Sequence, residues 1–265
     1  MSEMIPDLCS FDWILVNTSS GKDSQTILRY VVQHCKEAGV EAGRLVAVHA
    51  DLGKIEWPGC PELAGKQAEH YGLSLEVVKR IGGDLLESVR RRGKWPSSKQ
   101  RYCTSDFKRG PILRVMTKLT TELGGNRPIR ILNCMGMRAE ESPARAKKLP
   151  YQLNQRASNG RREVWDWLAI HQWPVEEVWS DIRKSGVPHH YAYDVGMPRL
   201  SCSFCIFAPV AALKLAGKQR PDLLEEYVQV ERETGHTFKV GLSLADIQKA
   251  ILADEQIGPV TDWRM

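Results

Sequence analysis

The sequence has no long apolar run. None of its apolar stretches approaches the roughly 18 residues that a helix needs to cross a bilayer, so we expect no membrane association. The first ten residues carry Glu3 and Asp7 but no basic side chain, which does not fit the basic start of a secretory signal. We therefore expect a cytoplasmic protein.

Two familiar motif patterns are also absent. The phosphate loop G-x-x-x-x-G-K-[ST] does not occur. There is one C-x-x-C pair, which does not support a closed four-cysteine zinc ribbon. Seven cysteines in a reducing compartment do not indicate a disulfide framework, so core thiols, a metal site and redox chemistry remain open.

Charge is unevenly distributed along the chain. The net charge of +5 comes from 37 basic and 32 acidic residues, but basic side chains concentrate in residues 90–109 and 138–162. Such concentrations attract phosphate, sulfate or nucleic acid. The alternative is an ordinary solvated surface.

Apolar runs and helical patterns alternate through the first half of the chain. Strands are predicted at residues 13–17, 45–50, 75–78 and 129–135, and helices at 25–38, 61–71 and 109–123. This order predicts an α/β fold with a doubly wound, mostly parallel sheet. We place a nucleotide-binding domain at residues 1–165 and a helical or irregular cysteine-bearing extension at residues 166–265. Within these, residues 145–162 are expected to form a mobile loop, 188–209 to be irregular, and 175–185, 223–232 and 243–253 to be helical.

A polar, serine-rich segment lies between the first strand and the first helix. Backbone N–H groups at a helix start lack partners and favour anions. Gly21 allows close approach, Lys22 supplies charge, and Asp23 either caps the helix or orients Mg²⁺. The alternative is an ordinary capped helix start. We assign phosphate binding to Ser19, Ser20, Gly21, Lys22, Asp23 and Ser24.

Polar residues and a glycine follow two further strands. Asp51 could meet a metal or a ribose, and Gly136 could let a nucleotide approach. Arg138 and Arg145 could bind phosphate or sulfate in a bidentate manner, although Arg138 could instead pair with Glu141.

Three cysteines are candidate metal ligands. Cys202 and Cys205 form the C-x-x-C, and Cys103 lies about a hundred residues earlier. Three thiolates suit an iron–sulfur cluster with one iron open, or with a fourth ligand such as Cys60 or Cys134. Zinc binding and structural thiols are the alternatives.

Several ordered blocks carry a family resemblance. The segment Ser19-Ser20-Gly21-Lys22-Asp23-Ser24 resembles the PP-loop, S-G-G-x-D-S, of the ATP-pyrophosphatase superfamily, with Ser20 in place of the first glycine. Other blocks resemble the phosphoadenosine phosphosulfate (PAPS) reductase branch: His49-Ala50-Asp51, residues 136–142, Arg145, and Trp173-Pro174-Val175. The resemblance spans about residues 13–210 and implies an adenine nucleotide alpha hydrolase-like fold that binds ATP and Mg²⁺. It implies nucleotide contacts at the PP-loop, His49, Asp51, Gly136, Arg138 and Arg145, with catalytic roles for Lys22, Asp23 and Arg138.

The sequence is also similar to sulfur-transfer enzymes of the Dnd and Ssp DNA phosphorothioation systems. That similarity implies a [4Fe–4S] cluster at Cys103, Cys202 and Cys205, which we favour over zinc. Such chemistry would use a sulfur donor such as a cysteine desulfurase. The basic concentrations indicate that the acceptor could be a nucleic acid, and DNA phosphorothioation is one candidate.

These features predict an ATP pyrophosphatase that adenylates a substrate in sulfur transfer. A PAPS or adenosine phosphosulfate reductase is the second expectation. It is weakened because Glu233-Thr234-Gly235-His236 lacks the thiol of the reductase's Glu-Cys-Gly motif. The third is a nucleotide-binding subunit without catalytic activity.

Overall fold

A six-stranded sheet forms the centre of the computed structural model, which describes residues 4–253, 258–261 and 263. The strands are β1 (Trp13–Thr18), β2 (Leu45–Asp51), β3 (Ser74–Lys79), β4 (Ile129–Cys134), β5 (Tyr151–Leu153) and β6 (Arg162–Trp167). Their order is β3-β2-β1-β4-β6-β5. β1 pairs in parallel with β2 and β4, β4 pairs in parallel with β6, and β5 runs antiparallel to β6.

Helices follow most strands and make up most of the C-terminal part of the chain. Among the described residues, none of them is both long enough and apolar enough to cross a bilayer. A π-helical turn, Ser105–Arg109, comes immediately before the helix that begins at Gly110. The helices are α1 (Lys22–Glu37), α2 (Cys60–His70), α3 (Leu85–Arg92), α4 (Tyr102–Thr104), α5 (Gly110–Leu123), α6 (Pro143–Ala146), α7 (Val175–Ser185), α8 (Val210–Gln219), α9 (Pro221–Thr234) and α10 (Leu244–Ala253).

Both faces of the sheet are covered. Because side chains alternate along a strand, Ile14 and Val16 of β1 pack on one face with Leu28 of α1. Leu15 packs on the opposite face with Val115 of α5. A strand buried on both sides must be apolar throughout, which is the pattern that residues 13–16 show. The predicted doubly wound, mostly parallel α/β fold is confirmed.

The strand order places a topological switch between β1 and β4. The chain proceeds from β1 to β2 on one side, and later returns to add β4 on the other. In open α/β sheets, ligands bind beyond the carboxyl ends of the strands at such a point. The PP-loop follows β1 and Gly136 follows β4, so two of the predicted site segments lie at the switch.

The residues group into two compact units, each built from several chain segments. The first contains Gly59–Val78, Ile112–His190 and the residues up to Ala50. The second contains Asp51–Pro58, Lys79–Pro111 and the residues from Tyr191 onward. The division predicted after residue 165 stays a prediction, and that position lies within β6.

One expectation about local structure was wrong. Part of residues 145–162, expected to be a mobile loop, forms β5, with Tyr151 opposite Trp167 of β6. A three-residue edge strand carries too short a pattern to be recognised, and its basic surroundings pointed to solvent. Strand β6 and helices α3, α4, α6 and α8 were not predicted either.

A chain of amide and carboxylate side chains links β1, β4 and β6 near their carboxyl ends. Asn17 Nδ2 donates to Asn133 Oδ1 at 2.7 Å, and Asn133 Nδ2 donates to Asp166 Oδ1 at 2.7 Å. Asn154 Nδ2 also donates to the Asp166 carboxylate. These bonds fix the strand ends from which the site loops start.

We expect Asn133→Ala to lower the free energy of unfolding by about 1–3 kcal/mol, because both neighbours then lose a partner in a poorly solvated position. Denaturant unfolding of this variant measures the change. Asn126→Ala, at an exposed position, is the control. Equal stabilities of the two variants would show that the chain of bonds contributes nothing.

Candidate functional site

The PP-loop folds back on itself at the start of α1. Ser24 Oγ donates to the Gly21 carbonyl at 2.8 Å and accepts from the Ser19 amide at 3.0 Å. Gly21 is the N-cap and supplies no capping side chain. The N-cap residue therefore leaves the amides of the first helical turn without a capping side chain of its own, which suits an anion.

Ser20 adopts the conformation that a glycine would adopt most easily. Its φ is 58°, and it is the one non-glycine residue with positive φ in the part of the chain that the structure describes. This left-handed conformation costs an L-residue about 1–2 kcal/mol. The buried Ser20 hydroxyl donates to the Cys60 carbonyl, which offsets part of that cost. Ser20 thus adopts, at the position where the family motif has glycine, a conformation that glycine adopts without strain.

Asp23 lies between two cations that the sequence also singled out. Its Oδ2 is 3.2 Å from Lys22 Nζ, and its Oδ1 accepts from Arg138 Nε at 2.5 Å. The Lys22 and Arg138 side chains are 5% and 4% exposed and the Asp23 side chain is 15% exposed, so the three form a largely buried cluster. Burial alone would raise the pKa of Asp23, but the charges of Lys22 and Arg138 outweigh it and lower that pKa. Asp23 therefore positions cations rather than capping the helix.

A glycine is required at position 136 because backbone atoms of α1 lie very close to it. A Cβ at this position would lie 2.6 Å from the Asp23 carbonyl oxygen and 2.7 Å from its carbon. These are backbone atoms of the first turn of α1, which cannot turn aside as a flexible side chain can. Gly136 thus allows the end of β4 to lie directly against the PP-loop.

Arg138 and Arg145 are both engaged in ion pairs. Arg138 pairs with Glu140 as well as Asp23, and its Nη1 donates to the Trp173 carbonyl at 3.1 Å. Glu141, the alternative partner predicted for Arg138, instead pairs with Arg145 and accepts from the Arg138 backbone amide at 3.0 Å. Arg138 is therefore fixed beside the PP-loop.

His49 and Asp51 lie at the end of β2 but belong to different units. His49 is fully buried, and its Nδ1 hydrogen-bonds to the Thr18 carbonyl at 3.1 Å, immediately before the PP-loop. Asp51 lies in the second unit, where it accepts from the Gly53 amide at 2.6 Å and lies 3.5 Å from Lys79 Nζ. The PP-loop, His49, Gly136, Arg138 and Arg145 thus belong to one unit, and Asp51 and the three candidate cysteines belong to the other.

The C-x-x-C turn of the second unit is held by its two middle residues. The Ser203 amide donates to the Ile55 carbonyl at 2.8 Å. Phe204 is 1% exposed and packs on Tyr227, with ring centroids 5.0 Å apart. The thiols are thus carried on a fixed turn.

The two thiols of this turn are chemically different. The hydrogen bond from Cys202 lowers the pKa of Cys205 to about 6, and Lys108 and Arg199 add to the effect. The same hydrogen bond, together with burial, raises the pKa of Cys202 well above its ordinary value. Burial also raises the pKa of Cys103. The contribution of Lys108 was missed because only its place in a basic stretch was visible in the sequence.

The donor set fits a metal only in part. Cys205 has the acidity of a thiolate ligand, and Cys103 lies near enough to interact electrostatically with it. Across residues 4–253, 258–261 and 263, however, no group of three or more His, Cys, Asp or Glu side chains is arranged to hold a metal ion. The cluster at Cys103, Cys202 and Cys205 stays a prediction.

One family of known proteins matches most of the chain. The family model of the phosphoadenosine phosphosulfate reductase domain matches residues 13–208. The chain belongs to this family. The match runs from the start of β1 through the C-x-x-C turn, so this PAPS reductase domain includes both the PP-loop and the thiol pair.

The individual relatives that match have low sequence identity to this chain. An uncharacterised 37.8 kDa protein of Escherichia phage 186 is 26% identical over 62% of this chain and 47% of its own length. An uncharacterised protein of Methanocaldococcus jannaschii is 27% identical over 87% of this chain and 51% of its own length. The chain therefore spans about half the length of these relatives. The crystal structure of PAPS reductase from Candida auris aligns with a TM-score of 0.50 and 19% identity, over 73% of this chain and 82% of that one, and supports the fold.

We expect Gly136→Ala to push the end of β4 away from the PP-loop, because the added methyl meets backbone atoms. The variant should lose about 1–3 kcal/mol of unfolding free energy and expose the PP-loop to hydrogen exchange. Gly160→Ala, where a Cβ meets nothing within 4 Å, is the control. Unchanged exchange at residues 19–24 would contradict the packing argument.

In reduced, metal-free protein we expect Cys205 to be alkylated with a midpoint near pH 6, because its thiolate forms above its pKa of about 6. Cys202→Ala removes the thiol hydrogen bond and should move the midpoint towards the ordinary value of about 8.5. Iodoacetamide labelling followed by peptide mass spectrometry measures it. Cys9→Ala, at an exposed cysteine, should change nothing. A midpoint unaffected by Cys202→Ala would contradict the proposed coupling.

Proposed function

We propose that this PAPS reductase-family protein is an enzyme that binds ATP and cleaves it between the α- and β-phosphates, adenylating an acceptor oxygen in a sulfur-transfer reaction. The observation that carries the proposal is the buried set of Lys22, Asp23 and Arg138 beside the first turn of α1. It brings two cations and helix amides together at the β1–β4 switch. A polyphosphate is the ligand that such donors suit best.

The roles follow from the geometry. The amides at the start of α1 and the hydroxyl group of Ser19 bind phosphate oxygens, and Ser24 holds the loop in shape through its bonds to Gly21 and Ser19. Lys22 stabilises the charge that develops on the leaving pyrophosphate. Asp23 and Glu140 hold Arg138 in its orientation, so that its charge is in place before the reaction begins.

The adenylation and the displacement balance without a redox step. An acceptor oxygen attacks the α-phosphorus, the bond from that phosphorus to the bridging oxygen breaks, and pyrophosphate leaves with the electron pair. A sulfur nucleophile at the oxidation level of sulfide then replaces the adenylated oxygen and releases AMP. A cysteine desulfurase would supply this sulfur as a persulfide, from which a thiol reductant releases it at the level of sulfide and is itself oxidised to a disulfide.

The sequence predicts two cofactors, Mg²⁺ and a [4Fe–4S] cluster, and the residues present bear on both. Mg²⁺ that arrives with ATP would neutralise phosphate charge. Asp23 engages Lys22 and Arg138 with its two oxygens, which fits a positioning role better than that of a metal ligand. A [4Fe–4S] cluster would need Cys103 to join the thiol pair, and we assign no step to it.

Lys22→Gln tests the phosphate role directly. We expect it to weaken MgATP binding about tenfold or more, the loss of one charge-assisted bond, as measured by calorimetry. Lys36→Gln, an exposed lysine on the same helix, should bind ATP normally.

The products of ATP turnover test the reaction class. With sulfide and candidate acceptors supplied, AMP and pyrophosphate are expected, and their formation should fall in Asp23→Asn. ADP and phosphate would contradict the proposal.

The family match also favours a second candidate, a reductase of PAPS or adenosine phosphosulfate. Release of sulfite from those nucleotides, with a thiol reductant supplied, would favour it over adenylation. A nucleotide-binding subunit without activity would bind MgATP and yield neither set of products.

A further inference from the structure

The second unit contains an open groove with a strongly positive lining. It has a volume of about 590 Å³, and none of its lining residues is acidic. The sequence as a whole has a net charge of +5 from 37 basic and 32 acidic residues, so the balance in this groove is unusual for the chain. We call it the basic groove, and its five cations are Arg92, Lys94, Lys99, Arg101 and Arg109. Arg92 also pairs with Asp106 at 2.9 Å, which offsets one of these five charges.

The segment that carries Lys99 and Arg101 is anchored at both ends. Before it, Trp95 is buried, stacks on Tyr227 with centroids 5.1 Å apart, and donates from Nε1 to the His236 carbonyl at 3.0 Å. After it, Tyr102 is buried and donates from its hydroxyl to the Lys94 carbonyl at 2.8 Å. Lys99 and Arg101 therefore project from a fixed frame.

Two of the guanidinium groups lie over aromatic rings. Arg92 Cζ is 4.4 Å from the Tyr102 ring centroid, and Arg101 Cζ is 4.6 Å from that of Phe207. Rings and guanidinium groups placed together in this way are the surfaces on which unpaired bases stack.

These features favour a single strand of nucleic acid over a small anion as the ligand. Lys94, Lys99 and Arg109 are exposed long side chains, which suit successive phosphates along a backbone. They do not form the buried, convergent set of donors that holds a single phosphate or sulfate. Stacking surfaces beside exposed cations are the usual means of binding single-stranded nucleic acid without sequence preference.

The basic groove also adjoins the thiol pair. Arg101 lies over the Phe207 ring, and the backbone amide of Phe207 donates to Cys205. Tyr102 and Ser105 of the groove flank Cys103 in the chain. A strand in the groove would therefore lie next to the thiols of the same unit.

We infer that the basic groove binds single-stranded nucleic acid through its phosphodiester backbone. That this strand is also the sulfur acceptor rests on the proposed function. Binding of the strand does not.

The test measures binding of a short fluorescein-labelled single strand, as DNA and as RNA, by anisotropy without ATP or Mg²⁺. The triple variant Lys94→Gln, Lys99→Gln, Arg109→Gln should bind about tenfold or more weakly. It should also lower the slope of log affinity against log salt by about 2, since each phosphate contact on a single strand contributes about 0.7. The triple variant Lys36→Gln, Lys66→Gln, Arg183→Gln removes the same charge from exposed positions in the other unit and should bind normally. Both variants must keep the thermal unfolding midpoint of the parent.

Three results would overturn the inference: no binding by the parent protein, equal loss in both triple variants, or displacement of the strand by inorganic pyrophosphate as effective as that by unlabelled strand at equal phosphate concentration. Lys22→Gln separates this inference from the proposed function, because it should lose ATP affinity and keep strand affinity.

Discussion

The ion pairs of Asp23 with Lys22 and Arg138 are the constraint on which the candidate site depends. Lys22 and Asp23 follow β1, whereas Arg138 follows β4, more than a hundred residues later. One carboxylate therefore joins the two loops that flank the switch point. A buried carboxylate that lost both cations would pay a large desolvation cost, so these loops keep their arrangement together or lose it together.

The close approach at Gly136 gives this arrangement its precision. Its missing side chain allows β4 to end against the first turn of α1, and Arg138 then needs only two further residues to reach Asp23. Buried ion pairs contribute little to net stability, so the main consequence of the Asp23 pairs is position. Charges already fixed at a site need no reorganisation when a transition state forms. That is the property a phosphate-cleaving site requires.

Most of the first unit could be predicted from the sequence because its signals are local. The apolar strand at residues 13–17 and the glycine in the PP-loop can each be recognised from a few neighbouring residues. Glu141 shows the limit, since its distance along the chain suited Arg138 equally well, and only the fold pairs it with Arg145. Helix α3 carried a readable signal that was missed, the capping box formed by Asp84 and Glu87.

The second unit was harder to predict because its chemistry depends on distant segments. The acidity of Cys205 arises from Cys202, Lys108 and Arg199 together, and Lys108 is almost a hundred residues away in the chain. A spacing such as C-x-x-C reports that two thiols are adjacent, but it does not report which of them holds the proton. The asymmetry suits nucleophilic sulfur chemistry as well as it suits metal binding, because a thiolate beside a protonated thiol is ready to attack. A cluster bound by these two cysteines would engage the same thiolates, so the pair can act either as metal ligands or as a nucleophile, but not as both at once.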